Sequence, residues 1–253
     1  MSRTPTAATY AGPSGTIAPA SPRPRPAWLD VVAERLPGTD PGWFSRFLPP
    51  DGGGRESAVL ILFGPPPADA DGGAGGGADA GADAGEHVLL IERAHTLRSH
   101  PAQIAFPGGS RDPGDDDLVR TALREAQEET GLDPSGVDVV AVLPSLFLPP
   151  SQFVVAPVLG WWATPSPVRV GDPGEVHDVL SVPVAHLVDP RTRHSVRHPS
   201  GYVGPAFEID DLLLWGFTAG LLEKVLELGD QNREWDAGRE KPLPARYLWG
   251  GRG

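Results

Sequence analysis

The stretch Arg124–Leu132, REAQEETGL, sets Glu125, Glu128 and Glu129 beside a single arginine, Arg124. Like charges three or four residues apart repel on a helix. At about 100° per residue, Leu118, Val119, Ala122, Leu123 and Ala126 form one apolar arc, and the three glutamates occupy the adjoining one. Arg124 lies one turn from Glu128 and can pair with it. Glu125 and Glu129, at i and i+4, then share a direction with no basic partner on the same helix. Such a pair suits a hard divalent cation, which prefers oxygen ligands. A solvated acidic face is the alternative, and the helix alone does not choose between them.

The elements that must hold these residues are legible in part. The helix is expected over Asp116–Thr130, with Asp115, Asp116 and Asp117 supplying an N-cap and favourable charge at the positive end of the dipole. Gly131 sits where a left-handed residue ends a helix. Strand patterns recur at Ser57–Phe63, His87–Arg93, Val137–Leu143, Phe153–Trp162 and Val179–Val184. The first two are expected to pair across a Gly/Ala/Asp-rich loop insertion over residues 66–85, whose glycines are followed by no Lys-Ser or Lys-Thr of a phosphate loop. Short helices are expected at Trp28–Leu36 and Gly42–Leu48, and a long apolar one at Asp211–Leu228. Strands interleaved with few helices predict an α+β domain, a mixed central sheet between helices. Its bounds are 27–229, preceded by a disordered Pro-rich extension over 1–26 and followed by a flexible polar tail over 230–253.

Composition narrows the function classes. The net charge of −12 disfavours a nucleic-acid binder, which needs basic stripes against phosphates. No apolar run reaches the roughly 18 residues of a membrane span, and the N-terminus has no apolar core of a secretory signal. With no cysteine there is no disulfide framework, thiolate nucleophile or Cys-ligated zinc. These features predict a cytoplasmic protein acting on a small molecule. The seven histidines form no HExxH or HxH arrangement, which argues against a histidine metal site. DPGDDD (Asp112–Asp117) lacks the glycine and terminal glutamate of a calcium loop.

The longer segment Phe106–Leu132, FPGGSRDPGDDDLVRTALREAQEETGL, resembles the Nudix box, a Gly-rich loop followed by a helix ending R-E-x-x-E-E-x-G. The match falls on Gly108, Gly109, Arg124, Glu125, Glu128, Glu129, Gly131 and Leu132; the loop is one residue longer than the general pattern, and Asp116 stands where that pattern has glutamate. The resemblance implies an α/β/α sandwich and Mg²⁺- or Mn²⁺-dependent hydrolysis of a diphosphate linked to another moiety. It places Gly109, Glu125 and Glu129 with the metal, makes Glu128 a third ligand or water-orienting group, and has Arg124 hold the cluster in register. Leu89–Gly109, LLIERAHTLRSHPAQIAFPGG, resembles a second signature, that of coenzyme A diphosphatases within the Nudix group, through Leu89-Leu90, Arg93, Arg98 and Phe106–Gly109. Ile91, Ala94 and Ala102 depart from it. This resemblance implies cleavage of coenzyme A or an acyl-CoA to 4′-phosphopantetheine and adenosine 3′,5′-bisphosphate, with Arg93 and Arg98 gripping phosphates. Glu175, a loop acid before a strand, resembles the downstream element that supplies a general base or a further metal ligand, a role for which Asp172 and Asp178 also compete. The alternatives are a Nudix hydrolase of ADP-ribose, a dinucleotide or a nucleoside triphosphate, and an inactive Nudix-fold binding protein.

Overall fold

The computed structural model describes residues 22–44, 49–50, 53–67, 85–97, 99–149 and 151–248. Residues 1–21 of the expected N-terminal extension, the Ser45–Leu48 end of the second short helix, most of the 66–85 insertion, Arg98 and residues 249–253 lie outside them. The chain begins with helices α1 (Ala27–Arg35) and α2 (Pro41–Phe44) and strands β1 (Arg55–Gly64), β2 (His87–Arg93), β3 (Ile104–Ala105) and β4 (Gly108–Ser110). Helix α3 (Leu118–Thr130) follows, then β5 (Val137–Val142), β6 (Leu146–Leu148), β7 (Phe153–Trp162), β8 (Val176–Pro183) and the short α4 (Val184–Leu187). The last part comprises β9 (Arg193–Arg197), β10 (Val203–Ile209), β11 (Leu212–Leu214), α5 (Gly216–Leu228) and β12 (Glu240–Pro242).

The main sheet runs β3-β2-β1-β7-β5 and is mixed, because β1 and β7 are parallel while the other pairs are antiparallel. As expected, β1 and β2 pair across the insertion, with Leu62 opposite Leu89. Alternation along β1 divides its side chains between two layers. Ala58, Leu60 and Leu62 pack with Ala122 and Ala126 of α3, whereas Ile61 and Phe63 join a larger core with α1 and α5. The result is an α+β sandwich in which, among the described residues, α3 covers one face of the sheet and α1 and α5 the other. The apolar arc of α3 forms as expected: Ala122 and Ala126 are fully buried, and Leu118, Val119 and Leu123 pack beside them.

Three expectations are corrected. Residues 211–215 do not start the long helix: Leu212–Leu214 is a strand paired with β10, and α5 begins only at Gly216, whose φ of 70° breaks the run. An apolar run cannot reveal this from its own pattern, because a buried strand and a buried helix read alike. Within the expected flexible tail, residues 230–248 carry β12, which pairs with β9 in a second sheet ordered β11-β10-β9-β12. Leu243 and Tyr247 are buried there against Val196, Ala206 and Leu213, and the Tyr247 hydroxyl accepts from the Leu213 N–H at 2.9 Å. Tail residues this sparse in apolar content order only because an open sheet edge offers them partners. Residues 22–26 of the extension are likewise tied down: the Arg23 N–H donates to the Ala163 carbonyl, and the Trp161 indole donates to the Arg23 carbonyl. Among the described residues, no helix is long and apolar enough to cross a membrane.

Candidate active site

Helix α3 delivers the glutamates because both of its ends are fixed. Asp117, not Asp116, is the N-cap, and its carboxylate accepts from the Arg120 N–H at 2.8 Å. Gly131 closes the helix in the left-handed conformation, at φ 69°. Two last-turn carbonyls, otherwise without a helical partner, accept from a later loop: Gly171 N–H donates to Glu129 O and Arg169 N–H to Thr130 O, each at 2.9 Å. Gly171 approaches so closely that a Cβ there would lie 1.9 Å from the Glu128 carbonyl oxygen. This docking carries the segment leading to Glu175 past the end of the helix, a role for Gly171 that carries no sequence signal beyond its being a glycine.

Arg124 is the hub of the site. Its guanidinium donates to Asp115 through Nε and Nη2, to Glu128 through Nη1 at 3.0 Å, and to the Ser110 carbonyl through Nη2 at 3.0 Å. The same Nη1 stands 3.0 Å from Glu125. Five planar donors let one side chain tie the β4 loop to the helix. With Asp116 and Asp117, Asp115 is expected from the sequence to supply the N-cap and favourable charge at the helix start. Its side chain is only 3% exposed and accepts from Arg124, the Thr121 hydroxyl and the Asp112 N–H. Hydrogen bonding to Arg124, seconded by Asp112 and Thr121, holds its carboxyl well below the usual aspartate range. Arg124 is raised in turn, first by Asp115 and then by Glu125. Asp115 is the functional residue that sequence reasoning missed, because an acid ahead of a helix reads as a cap.

The glutamates occupy three different depths. Glu128 is exposed and held by Arg124. Glu125 is mostly covered; burial pushes its carboxyl up, against the pull of Arg124. Glu129 is 2% exposed, deeper than the edge of the apolar face where the pattern places it. It accepts from the Gly108 N–H at 2.8 Å. Burial pushes its carboxyl up to about 8, opposed by the Gly108 bond and Arg93 and reinforced by Glu125 and Glu175. Gly109 completes the cradle: a Cβ on it would stand 2.5 Å from the Glu125 carboxylate.

The structure therefore gathers Gly109, Arg124, Glu125, Glu128 and Glu129 in one place. Glu175 is exposed, close enough to act electrostatically on both Glu125 and Glu129, and its backbone carbonyl accepts from Ala94 N–H at 2.8 Å. Arg93 also acts on Glu129, and its buried Nε has no hydrogen-bond partner among the described residues. Arg98 lies outside the described residues. Arg124 is shared among Asp115, Glu125 and Glu128, and Arg93 acts on the buried Glu129, so the site carries more acids than cations. Oxygen donors at the rim of a backbone cradle fit a hard divalent cation.

A NUDIX domain model matches residues 80–201, a span that holds all of these groups. The chain is 36% identical over 148 residues to the uncharacterized Nudix hydrolase NudL of Cronobacter sakazakii, covering 57% of this chain and 76% of that protein. A NudL of Salmonella paratyphi B gives 36% over 146 residues, covering 56% and 75%. Among solved structures, the Nudix hydrolase RenU of M. smegmatis is 19% identical with a TM-score of 0.42, covering 73% of this chain and 94% of that one.

Proposed function

The chain belongs to the Nudix hydrolase family, and from that membership we propose that it is a divalent-metal-dependent diphosphatase acting on coenzyme A or an acyl-CoA. The products are 4′-phosphopantetheine and adenosine 3′,5′-bisphosphate. The observation that carries the reaction class is the convergence of the Glu125 and Glu129 carboxylates under the Gly108–Ser110 loop, with Arg124 clamping both elements. Glu125 and Glu129 would hold Mg²⁺ or Mn²⁺, with Glu128 beside them and Gly109 contributing through its backbone. When bound, such a cation neutralises the diphosphate and makes water more acidic.

The chain's own groups do the rest. Arg124 stays charged throughout and fixes the carboxylates against the loop. Glu175, exposed beside the two buried glutamates, takes the proton of the attacking water. Arg93 has a buried Nε free to donate to an anion, and with Arg98 it grips phosphate oxygens. The coenzyme A assignment rests on the segment Leu89–Gly109, whose two arginines suit a substrate bearing a 3′-phosphate beyond its diphosphate.

A panel of CoA, ADP-ribose, NADH and nucleoside triphosphates, incubated with Mg²⁺ and read by product mass, tests this. CoA is expected to give the two named products fastest. Preference for ADP-ribose would remove the CoA assignment alone, and no cleavage of any member would remove the hydrolase. A second expectation concerns the cradle. Gly109→Ala forces the Glu125 carboxylate aside; because that group is the end of a flexible side chain, stability should change by less than about 1 kcal/mol. Turnover should nevertheless fall at least about tenfold. Retained turnover would show that Glu125 is free to move without consequence. Arg98→Ala should raise KM for CoA more than for dephospho-CoA; equal effects would refute a 3′-phosphate contact.

A further inference from the structure

We infer that Glu92, His95 and His177 form a second metal site, for a borderline transition-metal ion such as Zn²⁺, separate from the glutamate cluster. One ligand atom from each of the three lies within 4.8 Å of the other two. No sequence motif marks the trio, because the fold assembles it from two strands. Glu92 is near the end of β2, His95 is in the turn that follows, and His177 is at the start of β8. The β2–β8 ladder is irregular at this point: Glu92 pairs with Asp178 but Arg93 pairs with Val176, so His177 is the extra residue of a bulge. Bulges re-aim side chains, and this one sets the His177 ring 4.2 Å from that of His95.

The chemistry of the trio favours a cation. The Glu92 side chain is 8% exposed, and His95 Nε2 stands 2.7 Å from its Oε1. A buried carboxylate beside two imidazoles gives two nitrogens and one oxygen, a donor set that suits zinc and its neighbours and is poorly matched to Mg²⁺. Donor atoms around one zinc stand roughly 3–3.5 Å apart, so a small swing of the exposed His177 ring closes the set. Three protein ligands leave the fourth position open to solvent or a small anion.

The place of the trio differs from that of the glutamates. Along β2, Leu89 packs toward α3, whereas Val88 and Leu90 join the opposite core. Alternation puts Arg93 on the Leu89 side and Glu92 on the other. The ion would therefore sit across the sheet edge from Glu129 while pinning the strand ends that carry Arg93 and lead from Glu175. This inference does not rest on the hydrolase reading.

Zn²⁺ titration by calorimetry, with the whole chain held in saturating Mg²⁺, tests it. One Zn²⁺ per chain is expected in the wild type and in Glu125→Gln/Glu129→Gln. In His95→Ala/His177→Ala the Zn²⁺ Kd should rise more than about tenfold. Both histidines are exposed, so this variant should fold, which circular dichroism checks. Glu92→Gln, which keeps the shape of the side chain, should weaken binding in the same direction. Unchanged Zn²⁺ binding in the double-histidine variant, its loss only in the glutamate variant, or no Zn²⁺ binding by the wild type would each overturn the site.

Discussion

Glu129→Gln is expected to lower kcat/KM by at least about 100-fold while making the metal-free protein more stable above neutral pH. Loss of a partner that merely orients a ligand costs about 10–100-fold, so loss of a ligand should cost no less. The stability effect follows from linkage. In the folded, metal-free protein the Glu129 carboxyl titrates at about 8, against an ordinary value of 4.5, chiefly because it is buried. Between those values the folded state holds a proton that the unfolded state releases, so stability falls as pH rises through the window. Above about 8 the whole penalty is present. The glutamine variant has no such group, and its urea midpoint should decline less from pH 5 to pH 8 than that of the wild type. Mg²⁺ binding at pH 7 should also expel a proton from the wild type, visible by calorimetry in buffers of different ionisation enthalpy. Parallel pH profiles for wild type and variant would contradict the buried site, and an active variant would show that the metal lies elsewhere.

Asp115→Ala should be the most destabilising single change in the site, at about 3 kcal/mol. The loss has two sources: Arg124 is left mostly covered without its main partner, and the Thr121 hydroxyl and Asp112 N–H lose their acceptor. Because hydrogen bonding holds the Asp115 carboxyl below its ordinary value of 3.8, its contribution is complete above that pH. It disappears as pH falls through the lower folded value. Wild type and variant should therefore converge in stability at strongly acidic pH and differ fully at pH 6. Turnover should fall with stability, since Arg124 is the clamp between helix and loop. A urea midpoint within about 0.5 kcal/mol of the wild type would show that Glu125 and Glu128 suffice to hold Arg124.

Much of this was legible in the chain. The strands at His87–Arg93 and Phe153–Trp162 are built mostly of apolar residues, Val88–Ile91 in the first and Val, Leu, Phe and Trp in the second, and stand where that pattern puts them. The apolar arc of α3 and its Gly131 stop depend only on the 3.6-residue period and on backbone sterics. Other parts depend on residues distant in sequence. Leu212–Leu214 became a strand because β10 lay open beside it. Asp115 became a structural partner because Arg124 reaches back nine residues to it. The Glu92–His95–His177 group exists only because β2 and β8 meet at a bulge.

By itself, then, the sequence determined which residue types crowd together on one helix, that the crowded like charges leave either a cation site or a solvated face, and that the flanking segment resembles the Nudix box. Those are local facts, set by helical spacing and by the order of residues along one segment. Only the tertiary structure decided the depth of each glutamate: Glu128 in solvent, Glu125 mostly covered, Glu129 buried under Gly108. Depth governs desolvation, and desolvation is the main reason the Glu129 carboxyl is pushed up.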